Sequence, residues 1–195
     1  MSSFVLGKTT IADKALDLIE NNKNEDCIRC LGIDLDVCIP QWMKDNFAKG
    51  IYPTLQQRID IAKVFCDYVE QKCQDEKDTA DATLVSFSFV NTDLRDVFRE
   101  RFPQAWWVLV DTSEDEANRR ISQRAGHFYV GKTSGEKEAH EESVEDKENS
   151  EWDFAPVDYP HDILDGNNSV ESNAKIVSEI VRKAVAKKLE ASKNN

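Results

Sequence analysis

Short apolar runs alternate with amphipathic helical stretches along this chain, and that alternation constrains the fold more than any other feature. Phe4-Val5-Leu6, Ile28 to Ile33, Thr83 to Ser88, Trp106 to Asp111 and Asp162-Ile163-Leu164 read as strands. Trp106 to Asp111 is nearly all apolar, the pattern of a strand covered on both faces. Between these runs, Thr10 to Ile19 carries Ile11, Ala15 and Leu18 at helical spacing. From Leu55 to Cys73, the residues Leu55, Ile59, Ala62, Phe65, Val69 and Cys73 form one apolar face, with Thr54 and Gln57 as a capping box at its start. Thr92 to Arg101 is helical, Ser113 with Glu116 caps a helix reaching about Arg124, and Ser169 caps a last helix bearing Val170, Ala174, Val177, Val181 and Val185. Strands alternating with helices require right-handed crossovers, so the expected class is α/β, a doubly wound parallel sheet with helices on both faces.

The 195 residues suit a single domain over 1–195, and 40% apolar content supplies a core. A net charge of −12 repels phosphate backbones, so nucleic acid is not an expected partner. The longest apolar run, Ala105 to Val110, is far below the roughly 20 residues that span a bilayer. With no basic segment before Phe4-Val5-Leu6 either, the expectation is a cytoplasmic protein without membrane contact, monomeric or homodimeric. Cys27, Cys30, Cys38, Cys66 and Cys73 are an odd set on core-forming elements and read as packing residues. Cys27-Ile-Arg-Cys30 has no second ligand pair and is weak as a zinc or redox motif. Gly131 to Glu151 holds eight acidic residues, three lysines and two glycines, and is expected to be a mobile insertion at about 131–151.

In such sheets ligands sit beyond the carboxyl ends of the strands. Gly7-Lys8-Thr9-Thr10 follows the first run and matches the tail of a phosphate-binding loop, in which a lysine reaches the terminal phosphates and a hydroxyl ligates Mg²⁺. The leading glycine of GxxxxGK[ST] would fall at position 2, which is Ser2. If Phe4 to Leu6 is the strand, the loop is about five residues short, and an ordinary strand-to-helix turn with a surface lysine is the plainer account. Asp34-Leu35-Asp36 places two carboxylates at the next strand end, suited to a base or a Mg²⁺ partner, or simply to solvated loop acids. Arg58 lies one turn into its helix, and Ser88 with Arg95 follows the third strand, offering guanidinium and hydroxyl groups to an anionic substrate.

Together these segments resemble the gluconokinase and shikimate kinase group of small P-loop kinases. Gly50 through Pro53 to Arg58 is similar to the gluconokinase stretch of Gly, Pro-Leu and Asp-Arg. Ser88 and Leu94-Arg95-Asp96 fall where that family has Cys-Ser-Ala-Leu-Lys and Tyr-Arg-Asp. Arg119-Arg120-Ile-Ser-Gln-Arg124-Ala-Gly126-His127-Phe128 resembles the family's run into the lid. The family's His-Pro is replaced here by Asp36-Val37, and its Ser-Gln-Phe after the lid is absent.

The resemblance implies a five-stranded three-layer fold, ATP and Mg²⁺ as cofactors, and phosphoryl transfer to a hydroxyl of a small polar metabolite such as a sugar acid. It implies Gly7, Lys8, Thr9 and Thr10 as nucleotide contacts and Thr9 with Asp36 at the metal. Asp34, Asp36, Arg58, Ser88 and Arg95 would contact the acceptor, with Lys8, Asp34, Arg120 and Arg124 acting in catalysis and the insertion serving as the lid. His127 reads as a lid contact or a structural histidine. The alternatives are a kinase fold that has lost catalysis and serves as a binding or regulatory module, and a chain reading that lacks about five residues before Lys8.

Overall fold

The computed structural model describes residues 8–21, 28–76, 80–113, 116, 119–120 and 155–193. Helix α1 (Lys8–Glu20) is followed by β1 (Cys30–Asp34), a 3₁₀ turn (Leu35–Cys38), α2 (Gln41–Phe47) and α3 (Leu55–Asp75). Then come β2 (Ala82–Ser86), α4 (Thr92–Arg101), β3 (Val108–Asp111), β4 (Asp162–Asp165) and α5 (Val170–Lys193). The expected strand Phe4 to Leu6, Gly7, Cys27, Arg124, His127 and the 131–151 insertion lie outside the described residues. Of the expected Ser113 to Arg124 helix, Glu116, Arg119 and Arg120 are described and helical.

Local chemistry explains where the helices begin. At α3 the Gln57 amide donates to Thr54 Oγ1 at 3.3 Å and the Thr54 amide donates to Gln57 Oε1 at 2.9 Å, the reciprocal box read from the sequence. At α5 the Ser172 amide donates to Ser169 Oγ at 3.1 Å. Gly50, with φ of 72°, turns the chain between α2 and α3 in a conformation that suits glycine.

The strands form two parallel pairs. β1 runs beside β2 with Cys30 opposite Ala82 and Asp34 opposite Ser86, and β3 beside β4 with Val108 opposite Asp162 and Asp111 opposite Asp165. The two-residue period of a strand then sorts side chains to two faces. Leu31, Ile33, Val85 and Trp107 join a core with Met43, Phe65 and Phe98 from α2, α3 and α4. Cys30, Leu84, Val108 and Val110 face the other way, toward Ile11 and Ala15 of α1 and Ala174, Val177 and Val181 of α5. Helices therefore cover both faces, as expected for a doubly wound fold. Gly32 of β1 meets α1 closely: a Cβ there would stand 2.4 Å from Leu16 Cδ1.

Two expectations about burial change. The strand read as Trp106 to Asp111 is shorter, Val108–Asp111, and among its residues only Val110 is buried while Trp106 is 54% exposed. Among the described residues its neighbour is β4. The buried stripe of α3 is also rotated: Arg58, Ile61, Ala62, Phe65, Cys66 and Val69 are inside, while Leu55 is exposed. Burial of Arg58 turns the first helical turn in this direction, an effect that apolar periodicity does not register. No described helix is long and apolar enough to cross a membrane.

Candidate active site

The carboxyl ends of β1 and β2 receive the first turn of α1. Lys8 Nζ donates to Ser88 Oγ at 2.6 Å, and Thr9 Oγ1 donates to Asp34 Oδ2 at 3.1 Å. The other Asp34 oxygen accepts the Asp36 amide at 2.9 Å, which caps the 3₁₀ turn and fixes the carboxylate's orientation. Four of the residues singled out in the sequence, Lys8, Thr9, Asp34 and Ser88, thus meet in space although they span 80 positions. Asp36 is half-buried beside them, whereas Thr10 is exposed on α1. The group combines an ammonium, two hydroxyls and two carboxylates at the start of a helix, where the helix dipole also favours anions.

Arg58 and Arg95 stand differently. Arg58 is 6% exposed; its Nε donates to Asp93 Oδ2 at 2.7 Å and its Nη1 to the Pro53 carbonyl at 2.9 Å, tying the start of α3 to the start of α4. Arg95 is 2% exposed and donates to the main-chain carbonyls of Asn91, Val90, Ala155 and Pro156. It therefore staples the segment 155–161, which leads into β4, against the start of α4. Tyr159 of that segment meets Trp107 edge to face at 5.3 Å and lies under the Arg99 guanidinium at 4.1 Å.

Arg120 belongs to the other strand pair. Its Nη2 donates to the Gly166 carbonyl at 2.8 Å and its Nε to Glu116 Oε1 at 2.6 Å. Hydrogen bonds from Arg119 and Arg120 hold the Glu116 carboxyl down at about 2. Gly166 donates its amide to the Asp111 carbonyl, closing the carboxyl end of β4 onto that of β3. Sequence reading did not single out Tyr159, His161, Trp107 or Gly166. The signal available for Gly166 was its place in Asp165-Gly166-Asn167-Asn168, a turn directly after a strand.

Gly166 is a place where any side chain is costly, because a Cβ would stand 2.0 Å from Thr112 Oγ1 and 2.8 Å from the Asp111 carbonyl oxygen. One of those neighbours is rigid backbone. Gly166→Ala is expected to destabilise the protein by about 2 kcal/mol through overpacking. Urea unfolding measures this, and a loss below about 0.5 kcal/mol would show that the β3–β4 end relaxes freely.

No family model matches the sequence, and no curated protein matches it. Among solved structures, the chain is similar to the unliganded crystal structure of a sugar kinase from Janibacter sp. HTCC2649, at 18% identity and a TM-score of 0.59. The match covers 92% of this chain and 90% of that one. At this identity the likeness is one of backbone architecture: the two chains share an α/β fold.

Proposed function

We propose that this protein is an ATP-dependent phosphotransferase that phosphorylates a hydroxyl of a small polar metabolite. The observation that carries the reading is the meeting of Lys8 with Ser88, and of Thr9 with Asp34, at the strand ends where α1 begins. Phosphoryl transfer asks for positioned cations and hard oxygen ligands more than for covalent chemistry, and this group offers both. The kinase fold of the solved neighbour is consistent with it.

In this reading Lys8 contacts the transferring phosphate, with Gly7 and Thr10 flanking it. Thr9 and Asp36 hold Mg²⁺, for which hydroxyl and carboxylate oxygens are suitable ligands. Among the described residues no three His, Cys, Asp or Glu side chains converge on one point, so most of the cation's ligands would come from phosphate and water, as is usual for Mg²⁺. Mg²⁺, when bound, neutralises charge on the phosphates. Asp34 faces the acceptor hydroxyl and takes its proton as the hydroxyl oxygen forms a bond to the γ-phosphorus, while the bond to the β,γ-bridging oxygen breaks and ADP leaves. Ser88 orients the acceptor, and Arg58 and Arg95 border it from the walls they hold together. Arg120, beside the end of β4, and Arg124 act on the phosphates in the same reading.

The same proposal completes the sheet with Phe4-Val5-Leu6 as a fifth, central strand. Leu84 of β2 and Val110 of β3 share one core beneath α1 without pairing to each other.

The short run between Phe4 and Lys8 favours a second reading, a kinase-fold binding module without turnover, because it supplies few backbone amides for phosphate. Calorimetric titration with ATP and Mg²⁺ separates the two. The expected result is a micromolar Kd, about −8 kcal/mol, weakened at least tenfold by chelating Mg²⁺. No heat at millimolar ATP would remove the phosphotransferase reading.

A further inference from the structure

The cations around the Lys8 group are committed before any ligand arrives. Arg58 is buried; its Nε pairs with Asp93 Oδ2 at 2.7 Å and its Nη1 holds the Pro53 carbonyl. Arg95 is buried too, and main-chain carbonyls on two segments take its donors. One turn further along α4, Arg99 pairs with Asp96 at 3.2 Å and lies over the Tyr159 ring. Lys8 is drawn to Ser88 and, in the phosphotransferase reading, serves the phosphate.

The charges also balance. At the starts of α1, α3 and α4 and the end of β1, Lys8, Arg58 and Arg95 stand against Asp34, Asp36 and Asp93. Bound ATP adds further negative charge. An acceptor carrying a carboxylate would then lose water without gaining a cation of its own, and a buried charge without a partner is costly. The half-buried Asp36 carboxylate would repel it as well. A hydroxyl meets no such cost. Asp34, which accepts from Thr9 and from the Asp36 amide, has lone pairs left for a hydroxyl proton, and Ser88, which accepts from Lys8, keeps its own O–H to donate. An acceptor and a donor in one group match the two-way hydrogen bonding of neighbouring hydroxyls.

We propose that the acceptor is a small uncharged polyol or sugar, and that Asp93 sets this preference by cancelling the charge of Arg58. This rests on the phosphotransferase reading and names its acceptor class. Asp93 acts through Arg58 and is therefore a positioning residue. Without its charge, the Arg58 guanidinium bordering the acceptor becomes an uncompensated cation, the group that a carboxylate seeks.

The test is ADP release from Mg-ATP by the full chain with matched neutral and acidic acceptors. Glycerol, erythritol, xylitol and glucitol are paired with glycerate, erythronate, xylonate and gluconate, and glucose with glucuronate. The expected result is turnover of at least one neutral member, with kcat/KM at least tenfold above that of its acidic partner. Asp93→Asn keeps an oxygen for Arg58 Nε and removes the counter-charge. It should narrow that ratio at least threefold, chiefly by lowering KM for the acid, while thermal unfolding stays cooperative. Asp93→Glu, which keeps the charge, should retain the parent preference. A merely structural Asp93 would slow both members of a pair alike and leave the ratio unmoved, and that result overturns its role. An acid used as well as its neutral partner, or no turnover of any neutral member by a protein that binds Mg-ATP, overturns the acceptor class and leaves nucleotide binding standing. Absence of Mg-ATP binding in the calorimetric titration removes the phosphotransferase reading itself, and this proposal with it.

Discussion

Arg95→Ala is expected to destabilise the protein by about 3 to 5 kcal/mol, because it leaves several buried main-chain carbonyls without their donor and empties the space of a buried side chain. Arg95 is 2% exposed and its guanidinium reaches four main-chain carbonyls, two at the start of α4 and two at Ala155 and Pro156. Truncation leaves those carbonyls short of donors, each costing about 1 to 3 kcal/mol where water cannot replace the lost bond. It also frees the segment that carries Tyr159 onto Trp107. Lysine does not rescue the site, because one ammonium lacks the planar fork that spans two segments, so Arg95→Lys should lose nearly as much. Urea unfolding of the three proteins measures this directly, with the midpoint read at a constant slope. A loss below about 1 kcal/mol for Arg95→Ala would mean that water serves the carbonyls equally well.

Lys8→Ala should reduce ATP-dependent turnover by about 10² to 10³-fold with the fold retained, the usual cost of removing one preorganised donor from developing transition-state charge. Lys8 is half-buried, and its 2.6 Å bond to Ser88 Oγ joins α1 to the segment that follows β2. Coupled ADP release gives the rate, and thermal unfolding checks that the variant melts within a few degrees of the parent. An unchanged rate would place the phosphate contact elsewhere in the protein. A drop matched by a collapse of the melting temperature would assign Lys8 to structure. The two substitutions thus separate cations that act on a ligand from cations that act on the chain.

That separation was not legible in the sequence. Lys8, Thr9, Asp34 and Ser88 were readable as candidates because each follows or ends a strand, and parallel topology carries all strand ends to one edge. Arg58 and Arg95 were read by the same logic as substrate contacts, yet their donors go to Asp93, Pro53 and residues 155–156. Two of the four Arg95 partners, Ala155 and Pro156, lie about 60 positions away along the chain, beyond any local pattern. Phe89 and Trp107 pack against the core, as apolar residues near strands are expected to, and Tyr159 joins them from a segment that the sequence does not place.

The sequence by itself determined the type and order of α1, β1, α3, β2, α4, β3, β4 and α5, while the 3₁₀ turn, α2 and the rotation of the α3 stripe came from the structure. The elements legible in the sequence depend on periodicity and on capping bonds within four residues, such as Thr54 with Gln57 and Ser169 with Ser172. The tertiary structure alone decided which polar groups are spent and which remain for chemistry. Burying a guanidinium is favourable only where distant carbonyls and carboxylates converge on it, and that convergence exists once the chain has folded around Arg58 and Arg95.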